Sequence, residues 1–193
     1  MPIRWPNDKD RYQPGPFDSL RAVTPKCSQT PPVITKDSIG ALRPSLTLTE
    51  VSAICPTAAA LWDWGDEGIP EPALFVRLGE SLIELTLEDT LPRSRVTQVR
   101  TQDSTLRTSA GLGVGSQLLE LAKVLGTPHL EEGECVLYAN FDLAVGLSFR
   151  LDMPNAHDLC ERIPGIARRN EWSKLPQGTR ISEVVLYRAT AGA

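Results

Sequence analysis

Gln117-Leu-Leu-Glu-Leu-Ala-Lys-Val-Leu125 places Leu118, Leu121, Ala122 and Leu125 at i, i+3, i+4 and i+7, one apolar face of a helix closed by Gly126. Thr47-Leu-Thr-Glu-Val-Ser-Ala-Ile-Cys55 carries the same pattern 70 positions earlier. Leu48 aligns with Leu118, Glu50 with Glu120, Val51 with Leu121 and Ile54 with Val124. Thr47-x-x-Glu50 has capping-box spacing, in which a hydroxyl and a carboxylate satisfy backbone donors at a helix start. Leu48, Val51, Ile54 and Cys55 share one face, and Pro56 ends that helix.

Each helix is followed by strand-like runs. After the first come Ala73-Leu-Phe-Val-Arg-Leu78, a Gly79-Glu80 turn, Leu82-Ile-Glu-Leu-Thr-Leu87 and Val96-Thr-Gln-Val-Arg-Thr101. After the second come Cys135-Val-Leu-Tyr-Ala-Asn-Phe141, Gly146-Leu-Ser-Phe-Arg-Leu151 and Ile181-Ser-Glu-Val-Val-Leu-Tyr187. The expected fold is α+β: two tandem helix-plus-three-strand repeats forming a largely antiparallel sheet, with helices packed on one face. The expected division is a Pro-rich arm or linker over 1–38, a first repeat over 39–109 and a second over 110–193. An insertion over 156–178 belongs to the second repeat alone. Seven of the sixteen prolines fall in the first 38 residues, which argues for an extended arm laid on the body by Trp5, Tyr12 and Phe17, or for disorder.

Composition narrows the function. A net charge of −4 over 193 residues offers no basic footprint for nucleic acid or an anionic membrane. No apolar run approaches the roughly 20 residues of a transmembrane helix, and the polar Met1–Gly15 stretch does not read as a signal peptide. The four cysteines contain no C-x-x-C. They permit two disulfides in three connectivities, or buried free thiols, the simplest reading of Cys55 and Cys135 on their apolar runs. His157-x-x-Cys160 lacks a second ligand pair for zinc.

Catalytic motifs are weak. Gly111-x-Gly113-x-Gly115-Ser116 precedes a helix, yet no strand of a parallel βαβ unit precedes it and no Lys-Ser/Thr follows. It reads as a tight turn with Ser116 as N-cap. A hydrolase centred on Ser116 would need His129 or His157 beside it, without the spacing of a nucleophile elbow. Asp63, Asp66 and Glu67 lack the calcium-loop ladder. No cofactor or metal is expected, nor is enzyme activity.

Exposed aromatics and arginines remain as candidate contacts. Trp62 and Trp64 stand two apart in an expected loop, where they either anchor it on the sheet or meet a partner. Arg168, Arg169 and Trp172 form a cationic and aromatic patch in the insertion.

Gly113-Val-Gly-Ser-Gln-Leu-Leu-Glu-Leu with Val124-Leu-Gly-Thr-Pro128, and Val136-Leu-Tyr138 beyond, resembles the outer-membrane assembly lipoprotein (SmpA/OmlA) module. The tandem arrangement is similar to β-lactamase inhibitor proteins (BLIP-like), in which two such units make one curved sheet. The likeness covers about residues 39–152 and the last strand; Pro44-Ser45 stands in the first unit in place of the Gly-Ser turn. Cys27, preceded by Val23-Thr-Pro-Lys26, does not match a lipobox. The resemblance implies a non-enzymatic protein-interaction scaffold in the bacterial envelope, periplasmic or secreted. The alternative is a small-molecule or lipid-binding module with an apolar pocket between sheet and helices.

Overall fold

The computed structural model describes residues 3–6, 24–28, 32–64, 69–133, 136–153 and 163–187. Tyr12, Phe17, Asp66, Glu67, Cys135, His157 and Cys160 lie outside the described residues, as does most of the first part of the insertion. The described residues form β1 (Lys26–Ser28), α1 (Leu48–Ile54), β2 (Ala59–Trp64), β3 (Pro70–Leu78), β4 (Ser81–Leu87) and β5 (Val96–Thr101). There follow α2 (Leu118–Leu125), β6 (His129–Gly133), β7 (Val136–Asn140), β8 (Leu147–Asp152), α3 (Ile163–Arg168) and β9 (Arg180–Tyr187). Short 3-10 turns occupy Asp142–Ala144 and Trp172–Lys174.

All nine strands join one sheet in the order β1-β3-β4-β5-β9-β8-β7-β6, with β2 also on the outer edge of β3. Every pairing is antiparallel except β1 with β3. The α+β class and the largely antiparallel sheet are therefore as the residue pattern predicts. Each of the first two helices is followed by four strands, where the pattern predicts three. The additional ones, β2 and β6, are short of β-branched residues and lie toward the sheet's two ends. Their pairing with β3 and β7, not their propensity, makes them strands. Pro70 and Pro72 stand at the start of β3, where it pairs with β2 alone because its pairing with β4 begins only at Ala73; strand starts and one-sided stretches are where proline is tolerated.

The helices lie over the apolar face. Leu48 and Val51 of α1 and Leu118 and Leu121 of α2 join Leu74, Val76, Ile83, Leu85, Val99 and Leu186 in the main core. Leu121 has no exposed surface. Ile163 of α3 reaches the same core, with Ile166 and Ala167 packed against it. No helix among the described residues is long and apolar enough to cross a membrane.

The two long helices begin alike. Thr47 N–H donates to Glu50 Oε2 at 2.7 Å and Glu50 N–H to Thr47 Oγ1 at 3.2 Å, the predicted capping box. These bonds with Thr47, the backbone one foremost, hold the Glu50 carboxyl below its ordinary pKa. At α2 the N-cap is Gln117, not Ser116, and Gln117 N–H donates to Glu120 Oε2 at 2.8 Å. Ser116 sits one residue too early for the cap; its Oγ accepts from Gly113 N–H at 3.2 Å inside the turn. Gly115 takes φ 88°, and a Cβ on Gly113 would stand 2.3 Å from the Leu106 carbonyl oxygen. Turn geometry thus accounts for the glycine run.

The starts of α1 and α2 are also stitched to the sheet centre. Ser45 N–H donates to Val96 O at 2.7 Å, and Gly115 N–H to Ile181 O at 2.7 Å. Leu48 N–H donates to Ser94 O, and Leu118 N–H to Thr179 O, each at 2.9 Å. The strands so engaged, β5 and β9, are the pair that meet in the middle of the sheet.

Cys27 and Cys55 form a disulfide with Cα atoms 5.0 Å apart, which corrects the free-thiol reading of Cys55. It ties β1 to the end of α1. Closing a loop over 28 residues removes unfolded-state entropy worth about 3 kcal/mol. Residues 3–6 dock as well: Trp5 packs against Trp62 with ring centroids 5.7 Å apart, and Trp62 Nε1 donates to Pro6 O at 3.1 Å.

Candidate functional site: the charged face of the sheet

Alternation along a strand sends every second side chain away from the helices, and register decides which of these meet. One row runs across the sheet on that side: Ala59, Phe75, Glu84, Arg100, Val185, Ser148, Asn140 and His129 stand opposite one another in turn. A neighbouring row holds Glu183, Arg150, Tyr138 and Glu131. The β2–β4 end of the face is apolar, with Ala73, Phe75 and Leu82 forming a small separate cluster. The centre is charged.

At that centre Arg100 bridges two carboxylates. Its Nη2 lies 3.0 Å from Asp63 Oδ2 and also hydrogen-bonds Glu84 Oε1. The Glu84 side chain is 4% exposed. Burial, joined by the neighbouring Asp63 charge and only partly offset by Arg100, pushes the Glu84 carboxyl up to about 8. Burial works against the Arg100 charge too, yet Glu84, Glu183 and Asp63 together hold its pKa above the ordinary value. This network links β2, β4 and β5.

Toward β8 the charges are looser. Arg150 Nη1 stands 3.7 Å from Glu183 Oε2, an ionic contact beyond hydrogen-bond range. Gln102 Nε2 donates to Glu183 Oε1 at 3.3 Å. A cleft of about 340 Å³ opens here, lined by Gln102, Arg150, Asp152, Met153, Ser182 and Glu183 among others. A second, of about 310 Å³, lies between His129, Glu131, Asn140 and Tyr187 and the β7–β8 turn. Burial, reinforced by Tyr138 and Glu131, raises the Tyr187 phenol above its ordinary pKa. Leu143 and Val145 on that turn are 72% and 63% exposed.

The residues singled out from sequence fall elsewhere. Trp62 is buried on the helix side, so it anchors β2 in place of facing a partner. The backbone of Trp64 pairs with Pro70 at the end of β2, and its side chain lies outside the described residues. Arg168 and Arg169 are exposed at the end of α3, with Arg169 Nε 3.0 Å from Glu171 Oε1. Lys174 Nζ donates to the same Glu171 oxygen at 2.7 Å; these two cations hold that carboxyl below its ordinary pKa, Lys174 most. Trp172 is half-buried in an apolar groove of about 240 Å³ with Leu118, Leu119, Leu175 and Pro176. Arg168 and Arg169 on α3 and Trp172 against α2 thus lie on the helix side, exposed or half-buried where Trp62 is buried.

Sequence patterning does not reveal the charged face, although each member leaves a trace: a lone charge inside an apolar strand run. Glu84 interrupts Leu82-Ile-Glu-Leu-Thr-Leu87, Arg100 follows Val99, and Glu183 precedes Val184-Val-Leu186. Only register turns those separate anomalies into pairs. Among the described residues no group of three or more His, Cys, Asp or Glu side chains is placed to hold a metal. Ser116 Oγ closes its own turn, while His129 lies on the edge strand β6, 3.4 Å from Asp142.

No family model matches this sequence, and no curated protein matches it. Among solved structures, the chain is similar to the uncharacterized protein YfeY from Escherichia coli, at 12% identity and a TM-score of 0.45. That likeness covers 85% of this chain and 100% of YfeY.

Proposed function

We propose that this protein is a non-enzymatic binding module, an extracytoplasmic protein-interaction scaffold whose main working surface is the sheet face opposite the helices. The observation that carries the reading is the ordered charge on that face beside two clefts and the exposed Leu143 and Val145. A charged centre with apolar anchors at its margin suits recognition of another folded surface. The Cys27–Cys55 disulfide supports an oxidising compartment. Arg168, Arg169 and Trp172 offer a second contact patch on the helix side.

The tandem-repeat reading belongs to the same proposal. Its support is the offset of 70 residues between the helices together with the matched bonds at their N-termini: Ser45 to Val96 beside Gly115 to Ile181, and Leu48 to Ser94 beside Leu118 to Thr179. Two units meeting at β5 and β9 would make one continuous sheet, an arrangement similar to that of the β-lactamase inhibitor proteins. The small-molecule or lipid alternative rests on the Trp172 groove. At about 240 Å³ that groove falls below the roughly 300–1,000 Å³ usual for ligand pockets, and the two larger clefts have charged side chains in their lining and are not the apolar pocket that reading requires, so the protein-partner reading is preferred.

The test is quantitative capture from an envelope extract with three baits: the native chain, Leu143→Asp with Val145→Asp, and Arg168→Ala with Arg169→Ala and Trp172→Ala. A partner held by the native chain and lost from the first variant supports the sheet face. Retention by both variants at native levels rejects both surfaces. A bait whose native mass includes a bound lipid or metabolite, and that captures no protein, transfers the function to the alternative.

A further inference from the structure

The cleft between β5, β8 and β9 has a chemistry of its own. Its charged lining side chains are Arg150, Asp152 and Glu183, and behind the wall the buried Arg100, already paired with Glu84 and Asp63, also feels the Glu183 charge. The Glu183 side chain is 3% exposed, and its Oε2 has no hydrogen-bond donor. A buried carboxylate oxygen without a donor is costly, and such groups are ordinarily satisfied. Arg150 does not satisfy it: the 3.7 Å contact is ionic only, and the Arg150 side chain is 38% exposed, free to turn toward solvent. Ser182 and Gln102 add polar groups at the wall, and the Gln102 amide already holds the other Glu183 oxygen. Met153 and Val136 supply an apolar side on which an aliphatic stem can lie.

From these features we infer that the cleft is a recognition site for a single guanidinium or primary ammonium group on a short aliphatic stem. The cation donates to Glu183 Oε2, displaces Arg150 from its loose contact, and has Asp152 as a second negative charge at the mouth. A charge-assisted hydrogen bond replaces an ionic contact without one, and this difference drives the exchange. The inference rests on the reading of this face as the working surface. The same chemistry is presented by a free amine and by a Lys or Arg side chain of a protein partner.

The experiment uses the full chain with two probes, agmatine, which carries a guanidinium and an ammonium at opposite ends of one butyl stem, and the singly charged n-butylammonium, with butyrate and n-butanol as controls of matching apolar length. Titration is followed by backbone and side-chain NMR shifts at Gln102, Met153 and Glu183. Saturable shifts with both cations and none with the controls are expected. Glu183→Gln should weaken agmatine binding about tenfold or more, since a hydrogen bond to a charged group is lost. Arg150→Ala should tighten it by about threefold, because it removes a competing exposed charge. Opposite signs for these two variants are not what simple damage to the fold would give. Asp152→Asn, at the exposed end of β8, is a second check and should weaken binding without altering thermal unfolding. Equal shifts with butyrate, absence of saturation, or unchanged affinity in Glu183→Gln overturns the cation site. Adding agmatine to the capture assay separates the sources: competition identifies a partner side chain in the cleft, and binding without competition identifies a free amine. Failed agmatine binding with intact partner capture rejects this site alone, whereas agmatine binding with no captured partner rejects the scaffold reading alone.

Discussion

The two halves of the sheet handle charge differently. In the β2–β5 half, Arg100 is closed in by Asp63 and Glu84, and the surrounding Ala73, Phe75 and Leu82 are buried. A disulfide and the Trp5–Trp62 contact fasten the same half. In the β6–β9 half, Arg150 is half-exposed, Glu183 keeps an unfilled oxygen, and two clefts and the bare Leu143 and Val145 side chains lie nearby. Similar backbone stitching at the two helix starts thus supports one closed region and one more open region. The difference lies in how closely and how deeply the bridging arginine is held, not in secondary structure.

The comparison breaks most readily at Arg100. Arg100→Ala should cost about 4 kcal/mol in urea unfolding, because it leaves buried carboxyl groups without their donor. A loss below about 1 kcal/mol would mean that the network is not the closed structure described. Reducing the fastening should come next: Cys27→Ser with Cys55→Ser should lower stability by about 3 kcal/mol, and a shift in urea midpoint too small for that would remove the disulfide from the account.

Proton linkage sharpens the contrast. The folded-state pKa of Glu84 is raised to about 8 from an ordinary 4.5, so the folded chain holds a proton that the unfolded chain has released. The stabilisation from Glu84 protonation is therefore full below pH 4.5 and is lost as pH rises to about 8. Glu84→Gln should flatten that fall, seen as a smaller difference in unfolding free energy between pH 5 and pH 8 than in the native chain. Identical pH profiles would show that Glu84 is not the group titrating.

In the open half the effects should be small. Arg150→Ala should cost about 1 kcal/mol, since its contact is long and the side chain half-exposed; a loss matching that of Arg100→Ala would erase the distinction between the halves. Leu143→Ser with Val145→Ser should stay within about 0.5 kcal/mol of the native chain in the same measurement, as surface positions usually do.

Local spacing made α1 and α2 legible: apolar residues at helical intervals, a capping box at Thr47–Glu50 and Gly126 at the close of α2 are signals carried within one turn or two. The β4 and β5 runs, rich in Leu, Val and Thr, were legible for a similar reason, and β5 has the predicted bounds. The α+β class follows from these elements alone. What remained closed to that reading depended on partners far along the chain. Ala59–Trp64 and His129–Gly133 became strands by pairing, Trp62 was turned inward by alternation along β2 and met Trp5, and Cys27 found Cys55 across 28 residues. The charged face required register above all: Glu84 meets Arg100 and Arg150 meets Glu183 only after the strands are aligned. Helical periodicity is local and can be read residue by residue, whereas cross-strand contact is a property of the folded sheet.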